Sequence, residues 1–337
     1  SCGADPGPVC YGKGNTEPAT TDANVVLGTL NPEYLLGGRM RVRRDLAVNA
    51  IEALALRLGL DLMETAQGII SVVTANMARA IRVISVQRGY DPRDYTLMAF
   101  GGAGPLHAAR LAAELDMRRV IVPRNPGTLC AMGLLLTDLR ADFAATKLLP
   151  AEAGSAGEVS AGFDTLAERA EAWFVQEGIA AEDRHLTRTA DMRYAGQNYE
   201  LPVPLPDGPV TAETMNTLSA GFAEAHRQRY GFVAEEEPVQ LVTLRLEATG
   251  RVRKATLARH EEAEPDAAGA IIGARDVWFP EAGGYVRTPV YDRDVLRPGN
   301  TFTGPAIVEQ MDATTVVLPG MTARVDPYLN LILEAGA

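Results

Sequence analysis

The sequence is short of cysteine, of tryptophan, of positive charge and of long apolar runs, and each shortage excludes something. Three cysteines in 337 residues (Cys2, Cys10 and Cys130) are too few, and oddly numbered, for a disulfide framework. The seven residues between Cys2 and Cys10 match none of the short zinc spacings. All three are read as free thiols of a reducing compartment, which points to the cytoplasm. Lysine and arginine number 32 against 43 acidic residues, a formal net charge of −11. That balance excludes a basic nucleic-acid groove and gives no attraction to anionic lipid. A local anion site built from backbone N–H groups survives, because it does not depend on net charge.

No run of about eighteen apolar residues occurs, so no transmembrane helix is expected. The most apolar stretch, from Ala66 to Val86, is broken by Asn76, Arg79 and Arg82. The opening SCGADPGPVCYGKGN has neither the basic nor the apolar segment of a signal peptide. It begins without Met inside a Gly/Pro loop, and is read as part of a longer or processed chain. What is present is ordinary globular composition, 47% hydrophobic and 22% charged, with room for two or three domains.

Periodicity divides the chain. Thr21-Asp22-Ala23-Asn24 followed by VVLG predicts a short capped helix ending at Gly28. Apolar spacing predicts a helix from Asp45 stopped by Gly59, and a longer one from about Asp61 to Arg88. Tyr95–Phe100 reads as a short strand, GGAG as a turn, LHAARLAAEL as a helix and Arg119–Val122 as a second strand. Strand, glycine turn, helix, strand is the pattern of a parallel α/β unit. Asn125-Pro126-Gly127 then precedes a helix over Cys130–Leu136. Beyond Ala141, a polar linker at Ala151–Glu158 leads to helices at Val159–Glu177 and Ala212–Tyr230. Strands are predicted at Leu186–Tyr194, Tyr199–Val203 and Val239–Ala248. From Ala270 onward only short strands and Gly/Pro turns occur. The division expected is 1–140, an α+β region at 141–265 and a small β-rich domain at 266–337.

The sharpest local signal is Gly101-Gly102-Ala103-Gly104-Pro105, where a strand ends and a helix opens. Without Cβ atoms a ligand can approach the backbone, and the helix start offers N–H groups and partial positive charge. Read alone, such a turn is more often a tight connection. It is neither a Walker A loop nor a dinucleotide G-x-G-x-x-G. His107 lies just inside the helix, either packing or making a polar contact with a ligand. The loop Gly3–Pro8 is either a surface loop or a stiff cleft wall, with Asp5 or Asp22 available as a base or metal ligand. Arg93 is expected to pair with a nearby carboxylate, Gly196-Gln197 to form a hairpin turn, and His226 and Tyr230 to pack. Glu309-Gln310 and Asp312-Ala313-Thr314-Thr315 read as strand–turn–strand. No nucleophile elbow or zinc-hydrolase motif occurs.

Several long runs appear in a fixed order: GADPGPVCYG, TDANVVLG, GYDPRDYTLMAFGGAGPLHAARLAAELDMRRVIVP and PGTLCAMGLLLTD, then MRYAGQNYEL, HRQRYGF and GPAIVEQMDATTVVLPG. Together they resemble the carboxy-terminal part of the hydantoinase A/5-oxoprolinase family. The resemblance implies part of an actin-like (ribonuclease-H-like) ATPase lobe followed by the α+β region and the β-rich unit. It implies that FGGAG is an adenosine-contacting turn, so that Gly101, Gly102 and Gly104 are nucleotide-binding. The two D-x-G-G-T phosphate loops of the family do not occur in this sequence, and Ala19-Thr20 replaces a common Thr-Val.

The resemblance further implies ATP and Mg²⁺, a hydantoinase B-type partner subunit, and phosphorylation of a cyclic amide (a hydantoin, 5-oxoproline or a lactam) for hydrolytic ring opening. GGAGPLHA resembles the hydantoinase A and carboxylase branch, so ATP-dependent ketone carboxylation is the alternative. A third reading takes the chain as a non-catalytic assembly module that binds ATP weakly by itself. Asp5, Asp22 and His107 are the catalytic candidates.

Overall fold

The computed structural model describes residues 2–336, the Gln87 side chain excepted. The fold is mixed α/β, and its elements separate into two compact units, residues 1–133 with 256–337, and residues 134–255.

The first unit opens with helix α1 (Thr20–Leu27), hairpin strands β1 (Tyr34–Leu35) and β2 (Met40–Arg41), and helices α2 (Arg44–Leu58) and α3 (Leu62–Ile84). Glycines with φ near +70 to +80° end α1 at Gly28 and α2 at Gly59. Only a residue without Cβ takes that backbone at no steric cost. Asp61 starts α3 through a reciprocal capping box with Glu64. The three helices enclose a small core of Val25, Val26, Leu27, Ala47, Ile51, Ala66 and Ile70. α3 ends at Ile84, short of the expected Arg88, and Val86–Arg88 form a separate 3₁₀ turn.

Next come β3 (Leu97–Met98), α4 (Gly104–Glu114), β4 (Arg119–Val122) and α5 (Leu129–Leu136). β3 and β4 pair in parallel, Leu97 beside Val120, as the α/β pattern requires. The division between units falls within α5, which buries none of its residues.

The second unit holds β5 (Leu139–Pro150), α6 (Ala156–Gln176), β6 (Arg184–Tyr194), β7 (Leu201–Pro204), α7 (Ala212–Tyr230) and β8 (Val239–Gly250). Its antiparallel sheet has the order β5-β8-β6-β7. Leu241, Leu244, Met192 and Tyr194 of the sheet share a core with Phe163, Leu166 and Phe174 of α6 and Met215, Leu218 and Phe222 of α7. His226 belongs to this packing, its ring 4.7 Å from that of Tyr230 and its Nδ1 2.8 Å from the Phe232 carbonyl.

Residues 251–264, without helix or strand, lead back to the first unit. There follow β9 (Ile271–Phe279), β10 (Gly284–Asp292), β11 (Thr301–Thr303), β12 (Ala306–Glu309), β13 (Thr314–Val317), β14 (Met321–Val325) and β15 (Leu331–Ala335). They do not close on themselves. β15 pairs antiparallel with β4, Leu331 beside Val122 and Leu333 beside Val120, giving a five-stranded sheet β11-β14-β15-β4-β3. β13, β12, β10 and β9 form a second, four-stranded sheet. One core joins both sheets to α4 through Val120, Val122, Leu331, Leu333, Ile307, Val316 and Leu111. The expected three-way division is therefore replaced by two units, because the terminal strands complete a sheet begun about two hundred residues earlier. Among the described residues no helix is long and apolar enough to cross a membrane.

Candidate functional site

The glycine turn follows directly from β3. Ala99 N–H still donates to the Ile121 carbonyl at 2.8 Å, as a strand residue would, and the chain then leaves the sheet. Gly101 takes φ +78° and donates its N–H to the Pro126 carbonyl at 2.8 Å. The N–H groups of Gly102 and Ala103 donate to no group among the described residues. α4 starts at Gly104, and Ala103 supplies no side-chain cap. Pro105 in the first turn removes an N–H that would have no intrahelical acceptor. The result is an exposed backbone turn with free donors at the start of an eleven-residue helix.

The three glycines differ in what holds them to glycine. Gly101 has open space around it but a left-handed backbone. A Cβ on Gly102 would stand 3.2 Å from the Asp312 carbonyl oxygen, and one on Gly104 would make only ordinary contact with Ala99.

Two further loops meet the turn. The stretch Asn125–Thr128 lies against it through the Gly101–Pro126 hydrogen bond. Between β12 and β13, Gln310–Ala313 form a turn in which Gln310 N–H donates to the Ala313 carbonyl at 3.0 Å. Asp312 joins these loops: its Oδ2 accepts from Gly127 N–H at 2.9 Å, and its Oδ1 accepts from Gln310 Nε2 at 2.8 Å. Gln310 Nε2 also reaches the Arg124 carbonyl at 3.3 Å. Sequence reading identifies none of these partners. The signal was the run GPAIVEQMDATTVVLPG, but its acidic turn reads locally as a simple connection, and 185 residues separate Asp312 from Gly127.

The other candidates do not gather here, and no hydrogen bond joins Asp5, Asp22 and His107 to one another. Asp22 is fully buried, and its carboxylate accepts from the N–H groups of Cys10 at 2.7 Å, Ala19 at 2.8 Å and Val9 at 3.1 Å. This arrangement makes it the staple between the opening loop and α1. Burial pushes the neighbouring Cys10 thiol far up, with the Asp22 hydrogen bond and charge adding to the effect. Asp5 is exposed on its loop. His107 is buried in α4; burial, and then the charge of Arg110, hold its imidazole below the usual range. Arg110 itself pairs with Glu281 at 2.6 Å.

An open depression of about 450 Å³ lies elsewhere, lined by Val25, Gly28, Arg44, Arg275 and Tyr285 among others. Its Arg275 is already committed to the carbonyls of Gly28 and Thr29 and to Glu309.

With this geometry in hand, comparison with known proteins decides the lineage. The family model described as "Hydantoinase/oxoprolinase" matches residues 1–143, and "Hydantoinase/oxoprolinase C-terminal domain" matches 150–335. The chain belongs to the hydantoinase/oxoprolinase family. It is 40% identical to an uncharacterized protein of Methanocaldococcus jannaschii, over 99% of this chain and 47% of that protein. The caprolactamase subunit alpha of Pseudomonas jessenii is 34% identical over 100% of this chain and 49% of its own. The crystal structure of ATP-dependent caprolactamase from that organism superposes with a TM-score of 0.83 at 32% identity, covering 100% of this chain and 49% of that one. The acetophenone carboxylase gamma subunit of Aromatoleum aromaticum is also 34% identical, over 99% of this chain and 47% of its own. The chain thus spans about half the length of these curated relatives. This hydantoinase/oxoprolinase chain shares its fold with the caprolactamase over its whole length.

Among the described residues no group of three or more His, Cys, Asp or Glu could hold a metal ion.

Proposed function

We propose that this chain supplies the adenosine-facing wall of an ATP site, in an enzyme that activates a cyclic amide by phosphorylation so that water can open the ring. One observation carries the assignment of the wall: the N–H groups of Gly102 and Ala103 are unpaired at an exposed, uncapped helix start. Unpaired donors there suit a polar ligand, and the glycines let its atoms come close to the backbone. Gly101, Gly102 and Gly104 are the nucleotide-facing residues in this reading. ATP, when bound, supplies the phosphoryl group that makes the amide carbon electrophilic. The residues described here bind and orient; none of them is assigned a proton transfer. Burial keeps the His107 imidazole neutral near pH 7, which suits a packing role beneath the turn.

The cyclic-amide substrate is favoured by likeness along the full chain to an ATP-dependent caprolactamase. Equal identity to an acetophenone carboxylase subunit supports ketone carboxylation as the second reading. Those relatives are an alpha and a gamma subunit, which supports a partner subunit, proposed to be of the hydantoinase B type.

The test is phosphate release from ATP by the assembled enzyme, offered caprolactam, 5-oxoproline or a hydantoin, and separately a ketone with bicarbonate. Turnover dependent on a cyclic amide is expected. Turnover that requires ketone and bicarbonate would replace the hydrolase reading with the carboxylase one.

A further inference from the structure

The run GPAIVEQMDATTVVLPG is long and acidic at its centre, and the reading above assigns it no task. Its turn carries Asp312, half-buried, between strands whose inward residues are packed into the core. An exposed two-strand connection needs only turn chemistry. This one instead directs one carboxylate oxygen and its main-chain carbonyl at other loops, while the second oxygen braces its own turn. Oδ2 holds Gly127 N–H, Oδ1 holds Gln310 Nε2, and the carbonyl faces Gly102. Gly127 in turn follows Pro126, whose carbonyl fixes Gly101 N–H.

The approach is close. A Cβ on Gly127 would stand 2.2 Å from Asp312 Oδ2, well inside contact distance. A side chain at Gly127 would displace the Asp312 carboxylate, and one at Gly102 would press on its carbonyl.

We propose that Asp312 is a positioning residue of the nucleotide site, one that clamps the Asn125–Thr128 loop against the glycine turn and so sets the direction of the free N–H groups of Gly102 and Ala103. The inference rests on the reading of that turn as nucleotide-facing. A carboxylate suits the task because it accepts from two donors at once and cannot compete with the turn as a donor. The last strands of the chain thereby reach the nucleotide wall through one side chain.

The test combines hydrogen exchange with steady-state kinetics on wild type, Asp312→Ala and Asp312→Asn. In Asp312→Ala, the hydrogen-bonded amides of Gly101, Gly127 and Thr128 should exchange at least tenfold faster than in wild type, while peptides of the second unit keep their rates. In the assembled enzyme the KM for ATP should rise about tenfold with kcat within about twofold, and Asp312→Asn should recover much of both losses. Asparagine keeps one oxygen acceptor, and Gln310 can turn its amide to meet the new NH₂. Unchanged exchange at Gly101 in Asp312→Ala overturns the clamp, whatever the nucleotide does. Faster exchange with an unchanged KM for ATP shows instead that the turn does not face the nucleotide, and the positioning role falls with the reading it rests on. A fall in kcat alone, with KM for ATP unmoved, also overturns it.

Discussion

At the scale of single residues, Asp22 ties the opening loop to α1. Asp22 binds three backbone N–H groups, two of them from the buried Val9–Cys10 stretch. Hydrogen bonds to a charged partner contribute about 1.5–3 kcal/mol, and a buried donor left unpaired costs about 1–3 kcal/mol. Asp22→Ala should therefore lower stability by roughly 3 kcal/mol in denaturant unfolding. Asp22→Asn, which still accepts but lacks the charge, should cost less. A large loss of turnover with stability intact would restore Asp22 as a catalytic carboxylate. His107 makes a pH-dependent contribution of defined sign. Its folded-state pKa lies below the ordinary 6.5, so the unfolded chain binds the proton more readily. That contribution is fully present above pH 6.5 and is lost as the pH falls toward the folded value. Melting temperatures from pH 8 down to 5 should drop less for His107→Gln than for wild type. Identical pH slopes would mean that the imidazole is not the buried group that resists protonation.

Among the elements, what was legible was what is local. Gly28 and Gly59 mark the ends of α1 and α2 because a left-handed residue is written in the sequence as glycine. The helix α7 and the strand β4 have the expected limits, since the apolar period and the flanking turns agree there. The strand β5 was not legible. Leu139–Pro150 carries Lys147, Arg140 and Asp142 among small residues, and its only clear instruction is the pairing with β8, about a hundred residues away. β14 (MTARV) is hard to read for the same reason: its inward residues Met321, Ala323 and Val325 are mixed in size, and its partners lie on other strands. The candidate site shows the same split. The glycine turn is visible locally, but the Asp312 clamp exists only once β12 and β13 bring their turn to Gly127. An element-level prediction follows from β15. Ending the chain before Leu331 removes the antiparallel neighbour of β4 and the buried Leu331 and Leu333. Burying a leucine contributes about 1.5–3 kcal/mol, so the two account for about 3–6 kcal/mol, a large share of the roughly 5–15 kcal/mol a domain holds, and the pairing of β4 is lost with them. Calorimetry should show the first unit's transition abolished while that of residues 134–255 persists. Loss of both transitions together would contradict the independence of the two cores.

On the scale of the whole molecule, the chain is a member of the hydantoinase/oxoprolinase family in which residues 1–133 and 256–337 build one unit around a shared core. The second unit, with its own sheet and two helices, is inserted between them. This layout explains how a turn near residue 102 is braced by a turn near residue 312. The central claim is that the exposed turn at Gly101–Gly104 faces the adenosine of ATP. Photoaffinity labelling with 2-azido-ATP, followed by peptide mapping of the assembled enzyme, tests it most directly. The account predicts label within residues 99–107 or 124–128, displaced by excess ATP and reduced about tenfold or more by Gly102→Val, with the fold verified by circular dichroism. ATP-displaceable label confined to other peptides, with residues 99–107 and 124–128 unlabelled, would contradict it.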